Sequence, residues 1–204
     1  MNKHLIVIGI AVLLICVEFS GCTETEEKVA EKLITVPLST LALTVDDLPQ
    51  GYIKWSEEYN YTSGGINSII PVEYYFITFA FENPEDNTGF PGIFLFLYKF
   101  NTSDEAKIGF YNQSGLMLKG YGFMDCITPE NVEQIGDESI YELLQGPYGN
   151  YSNAQNTTIS LISFRINNVG VGMLIQGVPI WEIDYTRLTI DYSKIVESRI
   201  YASI

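Results

Sequence analysis

The N-terminal pattern of apolar and polar residues differs from that of the rest of the chain. After Met1 and a short start with one basic residue, Lys3, the chain runs from Leu5 to Val17 with nothing more polar than glycine and cysteine. A basic start followed by 7–15 apolar residues is typical of a secretory signal peptide. The run is too short to span a bilayer, which takes about 20 residues. The pattern therefore predicts a signal peptide over residues 1–21.

The residues that end this leader suggest how the chain is held after export. Phe19-Ser20-Gly21-Cys22 resembles the lipobox of prokaryotic lipoproteins. Membership of that family implies a diacylglyceryl group on Cys22, cleavage before it, and a lipid anchor at the extracytoplasmic face of the cell membrane. The alternative is an ordinary signal peptide cut near Gly21, with Cys22 unmodified.

The residues after the leader divide into two parts. Residues 22–34 are polar and charged and lack a wide apolar face, which predicts a tether. Residues 35–204 are enough for one domain with its own core. The net charge of −14 lies entirely in the mature part, because Lys3 and Glu18 cancel in the leader.

Within the predicted domain, alternation and β-branched or aromatic residues predict strands. Val72–Phe81 and Ile93–Phe100 are apolar on both alternating faces, which is typical of central strands. Thr157–Ile166 and Val169–Gln176 predict a hairpin with Asn167-Asn168 at its tip, because asparagine tolerates positive φ. Shorter strands are predicted at Tyr52–Glu57 and Ile140–Gln145.

Helical spacing is found in three places. A helical turn is predicted at Thr44–Pro49, and a longer helix begins near Thr102, where Thr102 and Glu105 fit a capping box. A closing helix is predicted over Asp191–Ala202, with an apolar stripe at Tyr192, Ile195, Val196 and Ile200. The fold class predicted is α+β, a mainly antiparallel sheet with helices packed against it.

The order of these motifs carries a second resemblance. The residues that carry it are Leu43–Tyr52, Ile135–Ser139 and Phe164–Val169, followed by the closing helix. Together they resemble extracytoplasmic domains with the Mog1/PsbP-like sandwich, including the sensor domains of mycobacterial PknH-type kinases. The resemblance implies a binding or sensing module with no catalytic residues to carry over.

Composition excludes several functions. An acidic surface repels nucleic acid, so a nucleic-acid partner is not expected. His4, in the leader, is the only histidine, which removes catalysis by Ser-His-Asp or Cys-His groups and imidazole metal sites. We expect no cofactor and no metal, and we expect a protein that is not an enzyme.

The cysteines allow no internal disulfide if the leader is removed and Cys22 is lipidated. Cys126 is then the remaining thiol, and we expect it to be a buried core residue rather than a reactive one.

Five Asn-X-Ser/Thr sequons occur, at Asn60, Asn101, Asn112, Asn150 and Asn156. They suit a glycosylated surface protein, or are a coincidence in an Asn-rich chain. The Ile-, Tyr- and Asn-rich composition also looks like that of some methanogenic archaea.

Candidate binding residues are Trp55, Trp181 and Arg165. The two tryptophans could line a ligand groove, with core packing as the alternative, and Arg165 could pair with an anionic ligand. Asp46 and Asp47 are better explained by helix capping than by cation binding. Glu82, Glu85 and Asp86 are better explained as a solvated hairpin end than as a calcium site.

The sequence therefore predicts a non-enzymatic lipoprotein that binds a small ligand or an envelope partner. A structural or assembly role in the cell envelope is the alternative, and a carboxylate-based hydrolase is a third possibility. The hydrolase predicts two acids about 5–9.5 Å apart in a cleft.

Overall fold

The computed structural model describes residues 32–61, 70–82, 92–119, 124–130, 132–148, 155–177 and 183–204. The predicted signal peptide, Cys22 and nearly all of the predicted tether lie outside them. Leu33–Ile204 forms one compact unit. Among the described residues, no helix is both long and apolar enough to cross a bilayer.

The described residues build one antiparallel sheet. Its strands are β1 (Tyr52–Tyr61), β2 (Glu73–Phe81), β3 (Gly92–Lys99), β4 (Asp125–Ile127), β5 (Glu138–Tyr148), β6 (Gln155–Ile166) and β7 (Val169–Gly177). Their order across the sheet is β1-β2-β3-β7-β6-β5-β4, and each neighbouring pair is antiparallel. The α+β class and the antiparallel sheet are confirmed.

Two α-helices accompany the sheet in the described part of the chain, α1 (Ser103–Lys119) and α2 (Tyr185–Ala202). The carboxylate of Asp184 accepts the Arg187 N–H at 3.0 Å. This N-cap starts α2 six residues before the predicted Asp191. Short 3₁₀ turns lie at Leu38–Thr40 and Val45–Asp47, the second within the predicted helical turn.

The helices lie on opposite faces of the sheet. On one face, called the α2 face, the hydroxyl of Ser193 contacts the sulfur of Met173 at 3.5 Å. Tyr192, Val196 and Ile200 are buried there, whereas Ile195 is half-buried. On the other, the α1 face, Lys107 pairs with Glu138 of β5 at 3.5 Å, and α1 packs against β6 and β7.

Both faces are covered along β7, which is why this strand has no exposed residue. Its odd-numbered residues, such as Val171 and Met173, join the main core under α2. Its even-numbered positions include Gly170, where an added Cβ would lie 3.8 Å from the ring of Phe100. The hairpin tip is as predicted, since Asn167 has a φ of +53°.

The residues just before the first 3₁₀ turn are part of the folded unit. Ile34 is 1% exposed, and its N–H donates to the Asn168 Oδ1 at 2.8 Å. Folded structure therefore begins before the predicted boundary at residue 35. From Ile34 the chain runs along the α2 face to the start of β1.

The expectation of a buried Cys126 is wrong. Cys126 is exposed and lies on β4, a three-residue edge strand that the sequence pattern did not predict. An edge strand has a neighbour on one side only, so its side chains gain less cover than those of a central strand.

Candidate functional site

The α1 face is uneven, because α1 covers β6 and β7 while the aromatic side chains of β2 and β3 stay half-exposed. These side chains form directly opposed pairs along the two strands. In order they are Tyr74–Tyr98, Phe76–Phe96 and Thr78–Phe94. The tyrosine rings are 5.3 Å apart and the stacked phenylalanine rings 4.5 Å apart.

Beyond the Thr78–Phe94 pair lies a hollow lined by Ala80 and Gly92. Ala80 and Gly92 have almost no side chain, so the surface falls away beside the larger Thr78 and Phe94. The resulting cavity has a volume of about 400 Å³. Its lining residues are Trp55, Thr78, Phe79, Ala80, Phe81, Glu82, Gly92 and Phe94, and we call it the Trp55 groove.

A β-bulge supplies the tryptophan. The register of β1 with β2 shifts between Lys54 and Ser56, so Trp55 has no directly opposed partner. The hydroxyls of Ser56 and Thr78 lie 2.7 Å apart and fix the strand just after the bulge. Trp55 is 73% exposed. Bulges re-aim side chains, and this one sets an indole at the rim of the groove.

The charge of the groove is negative. Glu82 is exposed, and its backbone N–H donates to the Gly51 carbonyl at 2.8 Å, which fixes its position. The nearby Lys54 is engaged in an ion pair with Glu57. Glu57 also accepts the hydroxyl of Tyr75, a residue of the main core under α2, at 2.6 Å. No other lining residue among those described is ionisable.

The groove lies at the end of the sheet away from the start of the folded unit. Ile34 binds Asn168, beside the end of β2 that begins with Glu73. The groove lies at the other end of β2, which finishes at Phe81. β2 has nine residues, so eight steps of about 3.3 Å place its two ends about 26 Å apart.

The three candidate groove residues do not form one site. Trp55 lines the groove, and Trp181 lies outside the described residues. Arg165 is buried at the opposite end of the sheet, where its guanidinium pairs with Asp137 at 3.3 Å and with Glu138 at 3.2 Å. Four strand spacings separate β6 from β1, about 19 Å at the usual interstrand distance.

Within the described ranges, every buried or half-buried carboxylate accepts at least one hydrogen bond. They are Asp47, Glu73, Glu105, Glu138, Glu142 and Glu197. The described part of the chain also contains no cluster of three or more His, Cys, Asp or Glu residues suited to a metal ion. The hydrogen bonds give these six acids structural roles.

The acids weighed from the sequence have clear roles or lie outside the described residues. Asp47 accepts the Thr44 N–H at 2.6 Å and binds Arg199 at 2.8 Å, so it caps the second 3₁₀ turn and ties it to α2. Asp46 is exposed. Glu85 and Asp86 fall in the segment that the structure does not describe.

The sequons are accessible wherever the structure describes them. Asn60, Asn101, Asn112 and Asn156 are all exposed, and Asn150 lies outside the described residues. Accessibility permits glycosylation, and whether these sites carry glycans stays a prediction.

Most of the groove residues were not predicted from the sequence. Thr78, Ala80 and Phe94 read as ordinary positions of two central strands. The available signal for the groove was the alternation of small and aromatic residues along these strands. Small residues beside aromatic ones on the same face of adjacent strands leave a hollow. Seeing it requires knowing that Ala80, near the end of β2, and Gly92, at the start of β3, line the same hollow.

Comparison with known proteins shows the fold. No protein-family model matches the chain, and no curated protein matches it. A similar solved structure is the crystal structure of the extracellular domain of PknH from Mycobacterium tuberculosis. It aligns with a TM-score of 0.50 and 10% identity, covering 80% of this chain and 94% of that one. The likeness is one of fold. It agrees with the resemblance to PknH-type domains seen in the sequence motifs.

Proposed function

We propose that this protein is an extracytoplasmic lipoprotein, anchored through a lipid on Cys22, whose domain is a non-enzymatic binding or sensing module. The Trp55 groove is its binding site. The fold is proposed to be the Mog1/PsbP-like sandwich, since PknH supplies both the sequence resemblance and the structural likeness. Exposed sequons on the domain suit a glycosylated surface protein.

The observation that carries the proposal is the exposure of Trp55 beside a hollow of about 400 Å³. Ligand sites are concave and mostly apolar, with a few polar groups, and their volumes are typically about 300–1,000 Å³. A tryptophan left 73% exposed gives up most of the free energy that its burial would contribute. Covering it with a ligand recovers that contribution.

The position of the groove suits a lipid-anchored protein. Ile34, close to the first described residue, lies at one end of the sheet, and the groove lies at the other end. A ligand in the groove is therefore not obstructed by the segment through which the chain enters the folded unit.

A structural or assembly role in the envelope is the second candidate. It is favoured by the aromatic ladder that continues from the groove, in which the stacked Phe76 and Phe96 are half-exposed. A contiguous apolar surface of this kind suits docking to another protein. The groove distinguishes the two roles, because a small ligand needs the hollow and a flat docking surface does not.

Intact mass spectrometry of the protein from membranes tests the anchor. The expected mature chain starts at Cys22 with the added mass of a lipid, and Cys22→Ser is expected to lose it and to leave the membrane. Further mass increments removed by Asn→Gln changes at the sequons would report glycans. A chain that retains residues 1–21, or an unmodified Cys22, contradicts the anchor.

Binding at the groove is tested with the full mature protein in a polyoxyethylene detergent. Three small probes represent three chemistries: choline, its neutral isostere 3,3-dimethylbutan-1-ol, and methyl glucoside. At least one is expected to bind saturably and to lose binding in Ala80→Leu, which fills the hollow. If none binds, the small-ligand role is wrong and the assembly role remains.

A further inference from the structure

The Trp55 groove combines two features that favour the same ligand chemistry. Trp55 and Phe94 offer aromatic rings, whose faces attract cations through the ring quadrupole, tryptophan most strongly. Glu82 places a carboxylate in the same lining. An anionic ligand would meet Glu82 with no described cation in the lining to balance it.

The basic residue nearest to the groove in sequence does not reverse this charge. Lys54 precedes Trp55, but its ammonium pairs with Glu57, whose other oxygen accepts the Tyr75 hydroxyl. Tyr75 belongs to the core under α2, on the opposite face of the sheet from Thr78 and Phe94. Lys54 is therefore held away from the groove.

Charge on the whole molecule acts in the same direction. The chain has a net charge of −14 at pH 7. A field of this sign raises the local concentration of cations at its clefts and speeds their association.

We infer that the Trp55 groove binds an organic cation of the alkylammonium class, with Trp55 and Phe94 against the cationic group and Glu82 as its counter-charge. This inference rests on the proposed function and narrows it to one ligand chemistry. Edge pairing with a peptide along β1 is less suitable, because the bulge at Trp55 and the charged Lys54, Glu57 and Glu58 protect that edge.

Fluorescence of Trp55 gives a direct readout. The chain has two tryptophans, so Trp181→Phe leaves Trp55 as the only indole. In this background, the full mature protein is titrated with choline and, at equal free concentration, with 3,3-dimethylbutan-1-ol. These probes have the same shape and differ in charge. Choline is expected to change the emission saturably and to bind about tenfold more tightly than the isostere.

Matched variants show which residues cause the preference for choline. Calorimetry measures binding to the variants that lack Trp55, because they have no tryptophan fluorescence signal. Glu82→Gln, at an exposed position, is expected to weaken choline and leave the isostere unchanged. Trp55→Phe is expected to keep weaker binding, and Trp55→Leu to lose the preference for choline. Tyr201→Ala removes an exposed aromatic residue of α2 and is expected to change nothing. Thermal unfolding of each variant checks that it is folded.

Each contrary result has a distinct meaning. Equal binding of choline and its isostere overturns the cation inference and leaves the groove as an apolar site. Preference for methyl glucoside also overturns it and indicates a sugar site. If none of the three probes binds, the cation inference fails together with the small-ligand role, whereas a failed lipid anchor would be detected separately by mass.

Discussion

Lys99 and Glu73 form an ion pair beneath the first residues of the folded unit, and both side chains are almost fully buried. Glu73 also accepts the Leu38 N–H at 2.7 Å, while Lys99 donates to the Val36 carbonyl at 2.6 Å. The pair therefore satisfies two backbone groups of the segment that leads to the predicted tether. It fastens this segment to β2 and β3.

Removing the cation of this pair is expected to destabilise the protein strongly. Lys99→Met leaves the Glu73 carboxylate buried without its counter-charge, which costs about 3–5 kcal/mol. The double variant Glu73→Gln/Lys99→Met is expected to lose less, because no buried charge is left unpaired. Urea unfolding of the three proteins measures this, and a double variant less stable than Lys99→Met would contradict it.

The same pair predicts how stability depends on pH. Burial by itself would raise the pKa of Glu73, but hydrogen bonds from the Leu38 N–H, Lys99 and Tyr59 outweigh it and lower that pKa below its usual 4.5. A group whose pKa is depressed by folding stabilises the protein above its unfolded pKa. That contribution is lost as pH falls from about 5 through the depressed pKa. The free energy of unfolding of Glu73→Gln should therefore fall less steeply over this range than that of the wild type. Identical slopes would show that Glu73 does not titrate as described.

Gly109 in α1 is required for packing, although its low helix propensity suggests a weak point of the helix. An added Cβ at Gly109 would lie 2.3 Å from Cζ of Phe100, a buried ring. Gly109→Ala raises helix propensity by up to about 1 kcal/mol, but overpacking typically costs about 1–3 kcal/mol. We expect net destabilisation in urea unfolding. Phe100→Leu should cost less in the Gly109→Ala background than in the wild type, because the smaller side chain relieves the clash.

Local patterns predicted the centre of the fold well. The two apolar runs became β2 and β3 within one residue of their expected starts, and the Asn167 hairpin formed because its turn chemistry is local. β4 was not predicted because three residues are too few to show an alternation of apolar and polar positions. Its strand conformation depends on pairing with β5. The early start of α2 depends on the Asp184 cap.

The groove was only partly predictable. Exposed aromatic residues and core aromatic residues look alike in sequence, so the sequence left two interpretations of Trp55, a groove residue or a core residue. The exposure of Trp55 depends on a register shift between β1 and β2, and the hollow depends on Ala80 of β2 and Gly92 of β3 lining the same place. Arg165 was a candidate because a lone arginine suggests an anion, yet long-range pairing with Asp137 and Glu138 gives it structural partners.

Arg165 is expected to affect stability without affecting the groove. Arg165→Met removes the nearer of the two cations beside Glu138, a half-buried carboxylate, and leaves the exposed Lys107. It also removes the donor to the Asn167 carbonyl, which Arg165 binds at 2.9 Å. A loss of about 2–4 kcal/mol in urea unfolding is expected. Choline titration of the folded variant should match the wild type. Weaker binding by a fully folded Arg165→Met would instead place Arg165 in the binding function.

The exposed thiol of Cys126 should react, but slowly. Partial desolvation and the hydrogen bond that its Sγ donates to the Glu142 Oε2 at 3.3 Å raise the pKa of this thiol, which lowers the thiolate fraction at pH 8. Glu142→Gln removes the negative charge and is expected to speed alkylation by iodoacetamide several-fold in the native protein.

The control for total charge is Glu130→Gln, since Glu130 is an exposed acid near the same strand, and this change should alter the rate little. In urea all three proteins should react alike, because the contact with Glu142 requires the pairing of β4 with β5. Equal native rates for Glu142→Gln and the wild type would show that Glu142 does not control this thiol, and a native protein that resists alkylation would return Cys126 to the core.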